Sequence, residues 1–135
     1  MRNKKPEAPL GFNDFTQIRF WNYRRLSSEQ LQGANLLARF ENGDPNNDIN
    51  VEPSVPGKYH GGDWQGVIDK LDYLEELGVT ALWISPVVAN TEEDAGFASY
   101  HGYWTQDFLR HNPHFGDLYK LRELVDAAHD RDMLV

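Results

Sequence analysis

The sequence predicts an α/β fold built on a parallel sheet, and three observations carry that prediction. Val67, Ile68, Leu71, Leu74 and Leu77 recur at three- and four-residue steps, which places them on one face of a helix. Directly after them, Val79 to Ser85 (VTALWIS) is an almost continuous apolar run, the pattern of a parallel strand covered on both faces. A second helix pattern then leads into another apolar run at Met133-Leu134-Val135. Strand, helix, strand, helix, strand is the order of a parallel sheet with right-handed crossover helices.

Taken in order, residues 1–12 are polar and Pro-containing, and are expected to be mobile. Phe15 to Tyr23 is aromatic-rich and reads as a short strand. Ser27-Ser28-Glu29-Gln30 offers helix-start chemistry, with Leu31, Ala34 and Leu37 able to follow on one face; Leu36 to Phe40 reads equally as a short strand. Residues 1–38 therefore form a segment without a firm assignment, ahead of an organised unit at 39–135. Asn42 to Pro56 is a loop on composition, with Asn-Gly, Asp-Pro and two further prolines.

The central helix begins at Asp63, whose carboxylate suits the free N–H groups and positive dipole end of a first turn. Gly78 is placed to adopt the left-handed conformation that ends it. Pro86 closes the following strand, because proline has no N–H for a ladder. Ala89 to Tyr100 reads as a loop with Glu92-Glu93-Asp94 as solvated charge at its tip. Phe115-Gly116-Asp117 opens the second helix, with Leu118, Leu121, Leu124, Val125 and Ala128 on one face and Arg131-Asp132 at its end. A parallel sheet that stops within a strand is incomplete, so further sequence is expected beyond Val135.

Composition narrows the function classes. Of 135 residues, 40% are apolar and 25% charged, which suits a globular chain. The net charge of −8 and the absence of a basic cluster outside Arg2, Lys4 and Lys5 argue against nucleic acid as partner. With no cysteine, disulfides, thiolate nucleophiles and Cys-ligated zinc are excluded. No apolar run approaches the roughly 20 residues that span a bilayer, so no membrane partner is expected. Residues 1–12 lack the apolar core of a signal peptide.

Three constellations bear on chemistry. Asn42, Asp44, Asn47 and Asp48, with Asp63 beyond them, are hard oxygen donors at short spacing, as calcium requires. The EF-hand template does not fit, since Asn47 and Pro53 stand where it needs Gly and Glu, and a polar turn cluster is the other reading. Tyr100-His101-Gly102-Tyr103-Trp104 interleaves rings with a hydrogen-bonding group, which suits sugars or, alternatively, an aromatic core under a long loop. His111 and His114 have a spacing that zinc tolerates, but no third ligand is near and Pro113 indicates a turn. No Walker loop, dinucleotide fingerprint or Ser-His-Asp arrangement is present.

Together, GGDWQGVIDKLDYLEELGVTALWISPVV, YHGYWTQDF and HNPHFGDLYKLRELVDAAHDRDMLV resemble the N-terminal part of the α-amylase family of glycoside hydrolases. The likeness is to its bacterial branch of cyclodextrin glucanotransferases and neopullulanase-like enzymes, and it covers Arg39 to Val135. The resemblance implies a truncated (β/α)₈ barrel, with three strands and two helices present, and a site at the C-terminal strand ends. It implies that Tyr103 stacks beneath a sugar, that His101 bonds nearby and that Trp104 lines the same cleft. It also implies Ca²⁺ held by Asn42, Asp44, Asn47, Asp48, Asp63 and the Gly61 carbonyl. The implied activity is hydrolysis or transglycosylation of α-1,4-glucans with retention, on oligo- or polysaccharides such as starch, in a secreted protein. The catalytic carboxylates it implies lie on later strands, beyond Val135. A non-catalytic carbohydrate- or calcium-binding module is the alternative.

Overall fold

The computed structural model describes residues 19–21 and 37–135. The expected mobile start, the helix opening at Ser27 and most of the strand proposed over 15–23 lie outside the described residues. A strand, β1, does occupy Arg19–Trp21. The centre of the unit is β2, Ala81–Trp83, within the expected apolar run. On one edge β2 pairs with β1, Phe20 opposite Leu82, and the pairing is antiparallel. On the other edge Ala81 bridges Leu134 in parallel, through Leu82 N–H to Leu134 O at 2.7 Å and Leu134 N–H to Thr80 O at 3.0 Å. The second crossover is thus present, whereas an all-parallel order is not: β1 runs against β2. Residues 37–39, one reading of which was a strand, form a 3₁₀ turn instead.

The central helix comes in two pieces, α1 (Trp64–Asp69) and α2 (Leu71–Glu76). They meet at Lys70, whose φ of −106° and ψ of 5° leave the helical basin. The apolar face survives the break, with Val67, Leu71 and Leu74 fully buried. Gly78 has the expected positive φ, 78°, and Val79 N–H returns to Leu74 O at 3.0 Å to close the helix end. Helix α3 (Leu118–His129) is capped by Asp117, whose side chain accepts from the Lys120 N–H. Its buried residues are Leu124 and Ala128, while Leu118 is exposed.

The core joins these helices to the strand: Leu37, Trp64, Leu82, Phe115 and Met133 are all buried. The expectation that β2 is covered on both faces is not met among the described residues, since Trp83 is 57% exposed while Leu82 is 4% exposed. Within the long connection after Pro86 the structure holds four strands that composition did not suggest. β3 (Val88–Asn90) pairs antiparallel with β6 (Thr105–His111), in an irregular register. β4 (Glu93–Asp94) and β5 (Phe97–Ala98) form a hairpin between them. Its turn residues Ala95 and Gly96 both have positive φ, as a type I′ hairpin turn demands. Among the described residues no helix is long and apolar enough to cross a membrane.

Candidate functional site

The polar loop folds around one carboxylate. Asp63 is fully buried and caps α1 by accepting the Gly66 N–H at 2.7 Å on Oδ1. The same oxygen accepts the Gly43 N–H at 3.1 Å. Oδ2 accepts the Asp44 N–H at 2.8 Å and Asn47 Nδ2 at 3.0 Å. Both carboxylate oxygens are therefore doubly bonded to N–H donors, and residues 43–47 are wrapped onto the start of the helix. The GGD segment approaches the chain at 37–41 just as closely: Gly62 N–H meets Ala38 O at 3.0 Å, and a Cβ at Gly62 would stand 2.0 Å from Leu37 O.

The other proposed calcium ligands lie beside this cap. Asn42 Nδ2 donates to both oxygens of Asp48, each at 2.9 Å. Gly61, with φ of 89°, faces the pair: a Cβ there would lie 2.4 Å from Asn42 Nδ2 and 2.8 Å from Asp48 Oδ1. Asp44 Oδ1 accepts from Asn46 N–H and Nδ2, at 3.0 and 2.7 Å. Asn47 Oδ1 is buried and has no hydrogen-bond partner among the described residues. Two amides, Asn42 and Asn47, thus hold their NH₂ groups against two carboxylates. Turning an amide over exchanges a donor for an acceptor without changing its shape, and oxygens of this kind are those a hard cation takes; among the described residues no three His, Asp or Glu side chains gather as a metal site.

The ring turn sits at the C-terminal end of β2. Gly102, with φ of 82°, packs on Pro86, and a Cβ there would meet Pro86 O at 3.0 Å. Gly102 N–H bonds Ser99 O at 2.9 Å and Thr91 N–H bonds Trp104 O at 3.1 Å, so the residues that follow β3 and β5 hold the turn in place. His101 is the hub. It meets Trp104 edge-on at 4.7 Å between centroids, Tyr103 in a stacked arrangement at 6.1 Å and Tyr100 edge-on at 5.4 Å. Its Nδ1 accepts the Tyr103 N–H at 3.0 Å. Burial lowers its pKa below the ordinary imidazole value. Because Nδ1 accepts, the neutral ring carries its proton on Nε2, a hydrogen-bond donor. Tyr103 is 54% exposed and Trp104 37% exposed, so these rings present surface rather than fill the core.

Several participants were not singled out by sequence reasoning. Glu92, read as solvated charge, has an oxygen 3.0 Å from His114 Nε2, and Glu93 pairs with Lys58. His114 is buried and stacks on Tyr59 at 3.6 Å, so it serves packing, not a zinc pair with His111. Burial pushes the Tyr59 phenol up to about 12. Arg39 places its guanidinium over the Tyr100 ring, 4.4 Å from the centroid, and donates from Nη2 to Pro56 O. The closeness in space of residues 39, 56 and 100 leaves no trace in local spacing.

The family model described as "Alpha amylase, catalytic domain" matches residues 36–135. The chain belongs to the α-amylase family. A beta/alpha-amylase of Paenibacillus polymyxa is 48% identical over 104 residues, covering 74% of this chain and 8% of that protein. Among solved structures, an Anoxybacillus α-amylase is 49% identical with a TM-score of 0.67, over 73% of this chain and 21% of that one. A gamma-CGTase from alkalophilic Bacillus clarkii is 45% identical with a TM-score of 0.70, over 73% of this chain and 16% of that one. The chain thus spans a small part of the α-amylase-family proteins it matches. Among the described residues there is no closed barrel, and the family model spans the polar loop, the helices, β2 and the ring turn alike.

Proposed function

We propose that this chain supplies the sugar-stacking rings and a calcium-binding loop to a glycosidase acting on α-1,4-glucans by hydrolysis or transglycosylation with retention. In this reading β2 and the residues around Leu134 are strands of a (β/α)₈ barrel, and the rings stand at the catalytic end of that barrel. The observation that carries the reading is the exposed ring turn on Pro86, with Tyr103 open to solvent and His101 held as a donor. A tyrosine face packs on the C–H face of a glucose unit, and the His101 Nε2–H donates to a hydroxyl beside it.

Retaining cleavage needs a carboxylate nucleophile and a carboxylic acid about 5–5.5 Å apart. In this reading those groups come from the remainder of the catalytic domain, and the residues here bind and orient. The residues that would hold Ca²⁺ are Asn42, Asp44, Asn47, Asp48 and Asp63, with the Gly61 carbonyl. Bound there, a hard cation would offset the carboxylate charge and tie the loop to the start of α1. The reading is tested by titrating the whole chain with maltoheptaose in a calorimeter, with reducing-sugar release followed in parallel. Binding without release is expected. Sugar release by the purified chain would overturn the division of labour, and absence of binding would overturn the stacking role.

A further inference from the structure

One side chain joins the polar loop to the ring turn. The backbone at Arg39 is clamped from two sides. Leu37 N–H donates to the buried Ser85 Oγ at 3.2 Å, next to Pro86. Ala38 O accepts from His60 and Gly62 N–H at 3.2 and 3.0 Å. From this fixed base the half-buried arginine reaches outward. Its Nη2 donates to Pro56 O, Nε is buried without a hydrogen-bond partner among the described residues, and the guanidinium lies 4.4 Å from the Tyr100 centroid. Among the described residues it makes no ion pair with a carboxylate, and its contacts there are a ring face and a carbonyl.

Tyr100 is the first ring of the turn, edge-on to His101 at 5.4 Å. His101 in turn touches Tyr103 and Trp104. We propose that Arg39 is a positioning residue for sugar recognition: its guanidinium plane sets the tilt of Tyr100, and through Tyr100 the orientation of His101 and Tyr103 toward an α-glucan. The inference rests on the function proposed above. It assigns the work to the plane as much as to the charge, because a flat, delocalised cation stacks on a ring where an ammonium is only a point charge.

The test measures maltoheptaose affinity of the whole chain by calorimetry for wild type, Arg39→Lys and Arg39→Met. Urea midpoints and ¹H–¹³C spectra of the Tyr and His rings accompany it. Both variants are expected to bind roughly 5- to 20-fold more weakly, Arg39→Lys nearly as weakly as Arg39→Met. Signals of Tyr100, His101 and Tyr103 should move, while that of Tyr73 on α2 stays. Wild-type affinity per folded molecule in either variant would overturn the proposal, even with a lowered urea midpoint. Full affinity in Arg39→Lys would overturn the role of the plane. Should the arginine variants fail to fold, Tyr100→Leu carries the test from the other side of the contact. It should lose affinity by a similar factor, and unchanged affinity there would also overturn the proposal. Wild-type binding with indifferent variants fails this inference alone, whereas a wild type that does not bind fails the proposed function itself.

Discussion

The polar loop and the ring turn are joined by Arg39, which donates to Pro56 O and lies over Tyr100, yet the two are organised differently. In the loop one carboxylate turns inward, while Asn42, Asn46 and Asp48 stay at the surface and bond one another or the loop backbone. Asp63 is fully buried and accepts four N–H donors from residues 43, 44, 47 and 66. In the turn the backbone is fixed, by Gly102 against Pro86 and by the bonds at Ser99 and Thr91, while the side chains turn outward. The first arrangement gains stability from hydrogen bonds that water cannot compete for. The second holds apolar ring surface ready for a ligand and so lowers the ordering cost of binding. The comparison predicts that substitutions in the loop act on stability, and substitutions in the turn act on recognition.

The sharpest way to break that contrast is Asp63→Ala. It leaves three backbone N–H groups and one amide without their acceptor and removes the cap of α1. With about 1–3 kcal/mol for a buried unsatisfied donor and about 1 kcal/mol for the cap, a loss of roughly 3–5 kcal/mol is expected in urea unfolding. That is a large share of a small domain's stability. Calcium adds a second arm: saturating calcium should raise the wild-type midpoint by mass action, and Asp63→Ala should abolish the rise. A loss below about 1 kcal/mol would show that water or the loop itself replaces the carboxylate.

Tyr103→Ala probes the other side. Because the ring is 54% exposed, stability should change little. In an enzyme with the complete catalytic domain, kcat/KM should fall on the order of 10- to 100-fold, at 1.4 kcal/mol per decade. The decrease in kcat should be at least as large as the rise in KM, if stacking strengthens as the sugar flattens toward the transition state. Tyr103→Phe, which keeps the ring face, should be far milder. A lowered melting temperature with normal kinetics per active site would move Tyr103 into the structural group and erase the contrast.

Where the sequence was legible, the cause is local. Asp63 and Asp117 announce helix starts, Gly78 a helix end and VTALWIS a strand, because each rests on interactions within a few residues. The ring turn was legible as a cluster because its rings are adjacent in the chain. What was not legible is long-range or disguised. The β4–β5 hairpin turns on Ala95-Gly96, and alanine is an uncommon residue at positive φ, so the usual Asn-Gly signal was absent. Glu92 was assigned to solvent because its partner, His114, is 22 residues away in sequence. The antiparallel pairing of β1 with β2 follows from tertiary contact that no periodicity encodes. Arg39 opens the segment that resembles the family, but its contacts with Pro56 and Tyr100 lie far away in sequence and leave no local signal.

The smallest expected effect sharpens the comparison from inside the ring turn. His101 accepts the Tyr103 N–H on Nδ1 at 3.0 Å, and burial holds its pKa below the ordinary value of about 6.5. Between the folded pKa and about 6.5 the unfolded chain therefore binds more protons than the folded one, and stability rises with pH across that window. The contribution is present above the unfolded pKa and is lost as pH falls through the folded pKa. Protonation at Nδ1 turns the acceptor into a donor facing another donor, so it breaks the bond that orients Tyr103. The ring is partly exposed, so the effect on unfolding should be slight, and maltoheptaose affinity is the more telling readout. Affinity should weaken as pH is lowered below about 6.5. His101→Asn separates this cause from other titrations. An asparagine oxygen can accept an N–H two residues on without titrating, so the variant should keep the turn and lose that part of the pH dependence. An identical pH profile in wild type and variant would show that His101 does not govern Tyr103, and would leave the ring turn ordered by its backbone alone.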